Sequence, residues 1–181
     1  MIVNVAPLLK QPIGASVDLS LEEAPIDPRG ENAELLESGA LDIAADLRAI
    51  HTNPGAYFEG EANARIEQEC SRCLRRIATP VTASFAEQYY ATIEVTTGLG
   101  MAAAPADSKT IGSDFRVDLT PLLLEELILA TPQAPLCLPD CRGLCVTCGD
   151  DLNERPHEHE DHIDARWAKL ESLQDFHAER Q

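Results

Sequence analysis

The clearest indication of the fold is the stretch Leu41-Asp-Ile-Ala-Ala-Asp-Leu-Arg-Ala-Ile-His51. Apolar side chains stand at alternate positions from its first residue, and most of the positions between them are acidic, basic or small. An alternation of period two places one set of side chains on one face of a strand. The pattern therefore predicts a half-buried β-strand in a sheet with one face in the core and one in water.

Similar alternation continues on both sides of this stretch. Residues 16–21 alternate before it, beyond an acidic, proline-containing segment at 22–39, and Asn53-Pro-Gly55 follows it as a turn signal. Residues 57–69 and 81–89 have the pattern of two further strands. Successive strands with short connections are typical of antiparallel sheets. We therefore predict an antiparallel sheet, which could be curled, in the N-terminal part of the chain.

The sheet is followed by a loop and a helix. Residues 96–114 are rich in Thr, Gly, Ala, Pro, Asp and Ser, which predicts a mobile loop. An apolar helix is then predicted at about 120–131, because Thr120 can cap it and Pro121 suits the first helical position. Pro132 disfavours the helical region for the residue before it, so the helix should end there.

The C-terminal part combines a polar, cysteine-rich loop with a second predicted helix, from about 161 to 179. One stripe of that helix is apolar, formed by Ile163, Trp167, Leu170 and Leu173. The whole chain is thus predicted to have an α+β fold. Residues 1–132 would form the β-rich core with its loop and helix, and residues 133–181 a metal-binding loop and an amphipathic helix packed on the same domain.

Several features bear on the location of the chain. The N-terminus lacks the features of a secretory signal. The longest apolar stretch, near 119–130, contains Glu125 and Glu126 and is too short to cross a bilayer. We therefore expect a cytoplasmic protein without a membrane partner. Because thiols stay reduced in the cytoplasm, we expect its six cysteines to bind metal and not to form disulfides.

The cysteines form pairs whose spacing is typical of metal knuckles. Cys70-Ser-Arg-Cys73 is the first pair, and Cys145-Val-Thr-Cys148 is the second, with Gly149 free to adopt a positive φ. Cys137 and Cys141 lie between them. These six cysteines are the candidate zinc ligands, together with the histidines of His157-Glu-His159, and the cofactor is one or two zinc ions.

Tetrahedral zinc needs four ligands, and two arrangements of these eight candidates remain open. The preferred one joins Cys70 and Cys73 with Cys137 and Cys141, and joins Cys145 and Cys148 with two of His157, His159 and His162. The rival is a single local site formed by the last four cysteines, which leaves the first pair as a free dithiol. The spacing alone does not choose between them.

No catalytic motif accompanies these cysteines. The sequence contains no phosphate-binding glycine loop, no H-E-x-x-H and no G-x-S-x-G. We therefore predict that the chain is not an enzyme and has no small-molecule substrate. The alternative function is a zinc-dependent hydrolase or a thiol redox protein, although no thioredoxin-like pattern surrounds Cys70.

Four segments resemble the YceD family of large ribosomal RNA subunit accumulation proteins. They are Cys70-Ser-Arg-Cys73-Leu, Val117-Asp-Leu-Thr-Pro121 through Thr131-Pro132, Pro135-Leu-Cys137 through Leu152-Asn-Glu154, and Ile163-Asp-Ala-Arg-Trp167-Ala-Lys-Leu170. The resemblance implies a role in making, processing or stabilising large-subunit ribosomal RNA, with no known catalytic residues. Relatives often carry a C-x-C where this chain has His157 and His159, which suits an alternative ligand set.

The charge of the chain must be reconciled with such a role. The formal net charge is −17, which opposes non-specific binding to nucleic acid and favours basic partners. Arg65, Arg72, Arg75 and Arg76 form the one basic island, around the first cysteine pair. Two routes therefore stay open: the island contacts large-subunit ribosomal RNA or a pre-ribosomal particle, or the acidic surface holds a basic ribosomal protein. The charge balance favours the second route.

Overall fold

The computed structural model describes residues 1–23, 40–159 and 166. Its elements, in chain order, are β1 (Ile2–Asn4), α1 (Ala6–Leu9), β2 (Ser16–Glu23), β3 (Ala40–Thr52), β4 (Gly55–Glu69), β5 (Arg76–Ala91), β6 (Lys109–Ile111), β7 (Arg116–Asp118) and α2 (Thr120–Ala130). Strands β3, β4 and β5 are unusually long, with 13, 15 and 16 residues.

The long strands form one five-stranded sheet with the order β2-β3-β4-β5-β6. Strands β2 to β5 are antiparallel neighbours, whereas β6 runs parallel to β5. Strands β1 and β7 pair separately. Glycine is required at one point inside β4, because a Cβ on Gly60 would lie 2.2 Å from the carbonyl oxygen of Asp46. The backbones of β3 and β4 approach closely at this point.

The core lies between one face of this sheet and α2. Alternate residues of the three long strands point into it, as their pattern predicts. Phe58 and Tyr89 meet there edge to face, with ring centroids 5.4 Å apart. The helix contributes four buried leucines: Leu122, Leu123, Leu124 and Leu127. This apolar layer covers one face of the sheet and leaves the other to solvent.

Helix α2 lies where the sequence predicts a helix, but its N-terminus is capped differently. Leu119 is the N-cap residue and forms no side-chain cap, while Thr120 is already helical and buried. The Oδ1 atom of Asp118 accepts a hydrogen bond from the backbone N–H of Thr120 at 2.9 Å. The predicted capping role of Thr120 is therefore taken by the preceding acid.

The predicted α+β class and the curled sheet are wrong. Among the described residues strand far outweighs helix, with two helices present, and the sheet is open, with β2 and β6 at its edges. Strands as long as β4 and β5 outweigh the one eleven-residue helix that follows them. The amphipathic helix expected at 161–179 lies outside the described residues, apart from Arg166.

The fold also bears on the predicted loop at 96–114 and on the predicted absence of a membrane span. The segment 96–114, predicted as a mobile loop, contains β6, which extends the sheet. No helix among the described residues has the length and apolar character needed to span a membrane.

Candidate metal centres

The first knuckle is the turn that joins the two longest strands. Cys70-Ser-Arg-Cys73 follows β4 directly and precedes β5. The backbone N–H of Leu74 donates to the carbonyl of Cys70 at 2.9 Å, and the N–H of Cys70 donates to the carbonyl of Arg75 at 2.8 Å. Leu74 adopts a positive φ of 58° to complete this turn. The long hairpin thus carries the first cysteine pair to its end.

The second knuckle repeats the same turn. The N–H of Gly149 donates to the carbonyl of Cys145, and the N–H of Cys145 donates to the carbonyl of Asp150, both at 2.8 Å. Gly149 has a φ of 78° at the position that Leu74 occupies in the first knuckle. Both C-x2-C segments therefore share one local geometry, which presents two sulfurs to the same point.

In each knuckle the backbone favours the thiolate of the first cysteine. The N–H groups of Cys73 and Arg72 lower the pKa of Cys70 to about 6. The N–H groups of Cys148 and Thr147 likewise lower the pKa of Cys145 to about 6. A thiolate is the form that binds zinc, so the turn prepares both sulfurs as ligands.

The first knuckle meets Cys137 and Cys141 in a group that we name the sulfur site. Its four Sγ atoms lie within 4.8 Å of one another. Cys70 Sγ is 3.8 Å from Cys141 Sγ, and Cys73 Sγ is 3.6 Å from Cys137 Sγ. A tetrahedron with metal–sulfur bonds of about 2.3 Å has edges of about 3.8 Å, whereas a disulfide is about 2.05 Å long. The spacing therefore fits a tetrahedral metal and excludes disulfides.

The sulfur site is enclosed and braced by its surroundings. Cys70 and Cys141 are fully buried, and Leu136 and Leu144 pack against the cluster. The backbone N–H of Ser71 donates to the carbonyl of Pro135 at 2.9 Å. These contacts attach the loop after α2 to the end of the β4–β5 hairpin.

The second knuckle meets His157 and His159 in a group that we name the mixed site. Its two sulfurs and two imidazoles also provide ligand atoms within 4.8 Å of one another, and Cys148 Sγ lies 3.1 Å from His157 Nε2. The other ring nitrogen of His157, Nδ1, lies 2.7 Å from the carbonyl of Arg155 and can donate to it. This bond leaves Nε2 as the free acceptor, which is the arrangement usual for histidines that bind metals.

The grouping of ligand atoms coincides with the preferred pairing of the sequence analysis. Cys145 and Cys148 belong to a different group from Cys137 and Cys141, so the single local site is not formed among residues 40–159. His162, the third candidate histidine, lies outside the described residues. The sulfur site supplies four sulfurs and the mixed site two sulfurs with two imidazoles, in each case donors that zinc prefers and the number that closes a tetrahedron.

The four arginines of the basic island have different surroundings. Arg72 Nη1 donates to the carbonyl of Cys141 at 2.7 Å, and Arg75 forms ion pairs with Asp151 and Glu154 at 3.4 and 3.0 Å. Arg65 and Arg76 are exposed on the strands. Two of the four predicted contact residues are thus engaged within the protein: Arg72 braces the sulfur site, and Arg75 links the first knuckle to the loop after the second.

One functional side chain, Asn153, was not foreseen from the sequence. Its Nδ2 atom lies 3.4 Å from Cys141 Sγ, and its Oδ1 atom accepts a hydrogen bond from the N–H of Arg142 at 2.8 Å. Hydrogen bonds to a metal-binding sulfur orient it and stabilise its charge. The signal in the sequence was Leu152-Asn-Glu154, which forms part of the family resemblance but carries no metal ligand.

The solvent face of the sheet is strongly acidic. By the strand register, eight acids and three arginines share this face. The acids are Asp18, Glu22, Asp42, Asp46, Glu59, Glu61, Glu67 and Glu69, and the arginines are Arg48, Arg65 and Arg76. An open groove of about 680 Å³ crosses β2, β3, β4 and β5 on this face, floored by short side chains such as Ser84 and Ala86.

Comparison with known proteins gives a consistent result. Residues 58–174 match the model of a family described as "Large ribosomal RNA subunit accumulation protein YceD". The uncharacterized protein Rv2926c of Mycobacterium tuberculosis is 33% identical over 178 residues, which cover 94% of this chain and 79% of that protein. The uncharacterized protein ML1660 of Mycobacterium leprae is 30% identical over 179 residues, covering 96% and 77%. No solved structure matches the chain.

Proposed function

The chain belongs to the YceD family, whose description suggests a role in the accumulation of large-subunit ribosomal RNA, and we propose that it is a non-enzymatic ribosome-biogenesis factor. In this proposal it binds a basic ribosomal protein of the large subunit on its acidic sheet face. Zinc at the cysteine groups holds the end of the β4–β5 hairpin and the following loops in a defined shape.

The observation that carries the proposal is the acidic sheet face. Four carboxylates and one guanidinium line its groove. Arg48 is paired with Asp18 at 2.8 Å, and the Glu61 carboxylate forms no hydrogen bond or ion pair with any described residue. Strands lie about 4.8 Å apart, so a groove across four strands spans roughly 15 Å and suits four or five residues of extended chain. A lysine- or arginine-rich segment complements this charge.

A basic protein suits this surface better than RNA does. Affinity for RNA comes from arginines and lysines that neutralise phosphates. Arg72 and Arg75, at the centre of the basic island, are already engaged with the Cys141 carbonyl and with Asp151 and Glu154. All four arginines are exposed, and Arg65 and Arg76 form no such contacts with the described residues, but both stand on the acidic face of the sheet, among glutamates that would repel phosphate.

Zinc is the metal that the donor sets support. Four thiolates, or two thiolates with two imidazoles, are the ligand sets of structural zinc. Such a set is closed, because it leaves no position for a water or a substrate, whereas catalytic zinc keeps one open. This argues for a structural role and against the zinc-hydrolase alternative. A redox role would require free thiols, which metal ligation removes.

The proposal is tested by binding measurements on the purified, zinc-loaded chain. The probe is a fluorescein-labelled ten-residue peptide of alternating lysine and serine, followed by fluorescence anisotropy at low and at physiological salt. Replacing Glu59 and Glu61 together by glutamine is expected to weaken binding about five- to tenfold, since exposed charge pairs contribute up to about 1 kcal/mol each. Glu125 and Glu126 on α2, replaced together by glutamine, remove the same charge elsewhere and should change binding less than twofold.

Isolated basic large-subunit ribosomal proteins and a large-subunit ribosomal RNA fragment are then tested in the same assay. The proposal expects tight, salt-dependent binding of at least one such protein and little binding of RNA. RNA binding that is lost on Arg65→Ala with Arg76→Ala, without any protein binding, would show instead that the chain contacts RNA directly. Deleting the gene should lower the ratio of large- to small-subunit ribosomal RNA, and unchanged ratios would argue against the family role.

A further inference from the structure

We propose that the chain binds two zinc ions of unequal permanence: a permanent ion at the sulfur site, loaded first, and an exchangeable ion at the mixed site, loaded second. This inference rests on the zinc binding of the proposed function and adds to it the order and the regulation of that binding. Zinc availability would then set whether the segment 142–159 is held in its defined shape.

The two sites differ in their access to solvent. In the sulfur site Cys70 and Cys141 are 0% exposed, and Cys73 is 7% exposed. In the mixed site Cys148 and His159 are exposed, and only Cys145 is buried. An incoming ligand must reach the ion before it can replace a protein ligand. Zinc at the mixed site is open to such attack, whereas at the sulfur site only Cys137 is half-buried and the other three ligands are enclosed between the hairpin end and the loop.

The sites also differ in their ligands. Four thiolates place four negative charges around zinc, and two thiolates with two neutral imidazoles place only two. Thiolates are the softer ligands and bind zinc strongly. The extra negative charge of the sulfur site is compensated by nearby donors, including Asn153 Nδ2, 3.4 Å from Cys141 Sγ. Both the ligand chemistry and the enclosure thus favour the sulfur site for the first ion.

The two sites are close enough in the chain to influence each other. Only three residues separate Cys141 of the sulfur site from Cys145 of the mixed site. Within them, the N–H of Leu144 donates to the carbonyl of Arg72 at 3.1 Å. A Cβ at Gly143 would lie 3.0 Å from that same carbonyl oxygen, so this segment lies directly on the first knuckle.

A second connection runs through the loop after the second knuckle. Arg75, next to the first knuckle, pairs with Asp151 and Glu154, and the N–H of Leu152 donates to the carbonyl of Gly143 at 2.9 Å. Once zinc closes the sulfur site, these contacts place the mixed-site ligands near one another. The coupling is reciprocal by linkage, so the order of loading follows from the difference in affinity and access.

The test measures zinc release from the full chain. Purified protein loaded with zinc is mixed with excess 4-(2-pyridylazo)resorcinol, which absorbs when it binds zinc, and the bound ions are counted by native mass spectrometry. We expect two ions, of which one leaves at least about 100-fold faster than the other. A single bound ion, or two ions that leave at the same rate, overturns the inference.

Ligand variants assign the two rates. His157→Ala with His159→Ala should abolish the fast release and leave one slow ion, whereas His51→Ala, a histidine outside both groups, should leave both rates unchanged. Loss of the slow ion in the double histidine variant would contradict the assignment. Cys70→Ser should remove the slow ion and weaken the affinity for the remaining ion more than tenfold.

Asn153→Ala tests the stabilisation of the sulfur site even if Cys70→Ser does not fold, because it keeps all eight ligands. It should retain two ions but release the slow one at least fivefold faster, and an unchanged slow rate would show that the Asn153 contact does not stabilise the sulfur site. Failure of zinc binding altogether would remove the metal part of the proposed function as well. Two ions with equal release rates would contradict only the difference in exchange between the two sites and would leave the proposed function intact.

Discussion

The sheet and the cysteine module are built on different physical principles. We use "cysteine module" for residues 70–75 with 133–159. The sheet and α2 share one large apolar cluster that includes side chains as big as Phe58 and Leu123. The buried cluster of the module consists of Cys70, Cys73 and Cys141, with a few half-buried neighbours. Apolar burial can hold the sheet together, but the module buries too little apolar surface to offset the entropy of ordering its loops.

Metal matters at the end of the hairpin and not in the sheet. The long β4–β5 hairpin extends beyond the core, so the turn at its end cannot rely on the core for stability. A metal bound by four side chains can stabilise such a segment directly, because its binding free energy becomes folding free energy. We therefore expect the two regions to respond independently to loss of metal and to loss of core volume.

Removal of metal should have the largest effect on stability, and this effect should be confined to the cysteine module. Binding of structural zinc contributes on the order of 10 kcal/mol in small zinc domains. After treatment with a strong chelator, hydrogen exchange should show loss of protection at the amides of Leu74, Leu144 and Gly149. Amides in the centres of β3, β4 and β5 should keep their protection. Unfolding of the whole chain on chelation would show that the two regions form one cooperative unit.

A cavity in the core should lower the stability of the sheet without loss of zinc. Leu123 is fully buried on α2, so Leu123→Ala should lower the free energy of unfolding by about 2–5 kcal/mol. Urea denaturation followed by circular dichroism measures this loss, and zinc content of the remaining folded protein should not change. As a control, Leu129→Ala changes an exposed leucine of the same helix and should cost below about 0.5 kcal/mol. A zinc loss that parallels the loss of stability would contradict the separation of the regions.

The first knuckle contains a residue that can be improved. Leu74 has a φ of 58° and a side chain that is 58% exposed, whereas the second knuckle has Gly149 at the same position. A left-handed conformation costs a residue with a Cβ about 1 kcal/mol, and glycine avoids this cost. Leu74→Gly should therefore raise the stability of the zinc-loaded module by up to about 1 kcal/mol. Gly149→Leu, the reverse change in the second knuckle, should lower it, and hydrogen exchange of the module measures both.

The smallest expected effect concerns Asp118, the last residue of β7. Partial burial alone would raise the pKa of Asp118, but hydrogen bonds from Thr120 and the charge of the terminal ammonium outweigh it, so its pKa is lowered. A carboxyl group with a lowered pKa stabilises the fold above its unfolded pKa of about 3.9. This contribution is lost as the pH falls through the folded pKa.

Asp118→Asn should therefore cost about 0.5 kcal/mol at pH 7, since the side chain is 46% exposed, and should cost less as the pH approaches 3. Urea denaturation at several pH values measures the difference between the variant and the natural chain. A cost that does not depend on pH would indicate that the charge of Asp118 is unimportant.

Much of the fold could be predicted because its signals are local. Alternation predicted β3, β4 and β5, and Pro121 with Pro132 predicted the extent of α2 to within a residue. The predicted bounds of β3 and β4 agree with the structure to within two residues, but β5 begins at Arg76, before the predicted start at 81, and the α+β class was wrong. Strand length depends on pairing with neighbours, and Lys109–Ile111 became β6 only because β5 provides a partner for it.

The two knuckles could be predicted from local sequence, because each turn is closed by hydrogen bonds within six consecutive residues. It also indicated the donor types, since thiolates and imidazoles at short spacing suit zinc.

The grouping of the cysteine pairs into two metal sites depends on the tertiary structure. Cys73 and Cys137 are 64 positions apart, and they meet because the β4–β5 hairpin ends beside the loop that follows α2. Long-range contacts likewise engage the candidate RNA ligands: Arg72 bonds to the Cys141 carbonyl within the sulfur site, and Arg75 pairs with Asp151 and Glu154 beyond the second knuckle. Such contacts depend on how the sheet and the helix pack, and no local pattern in the chain encodes that distance.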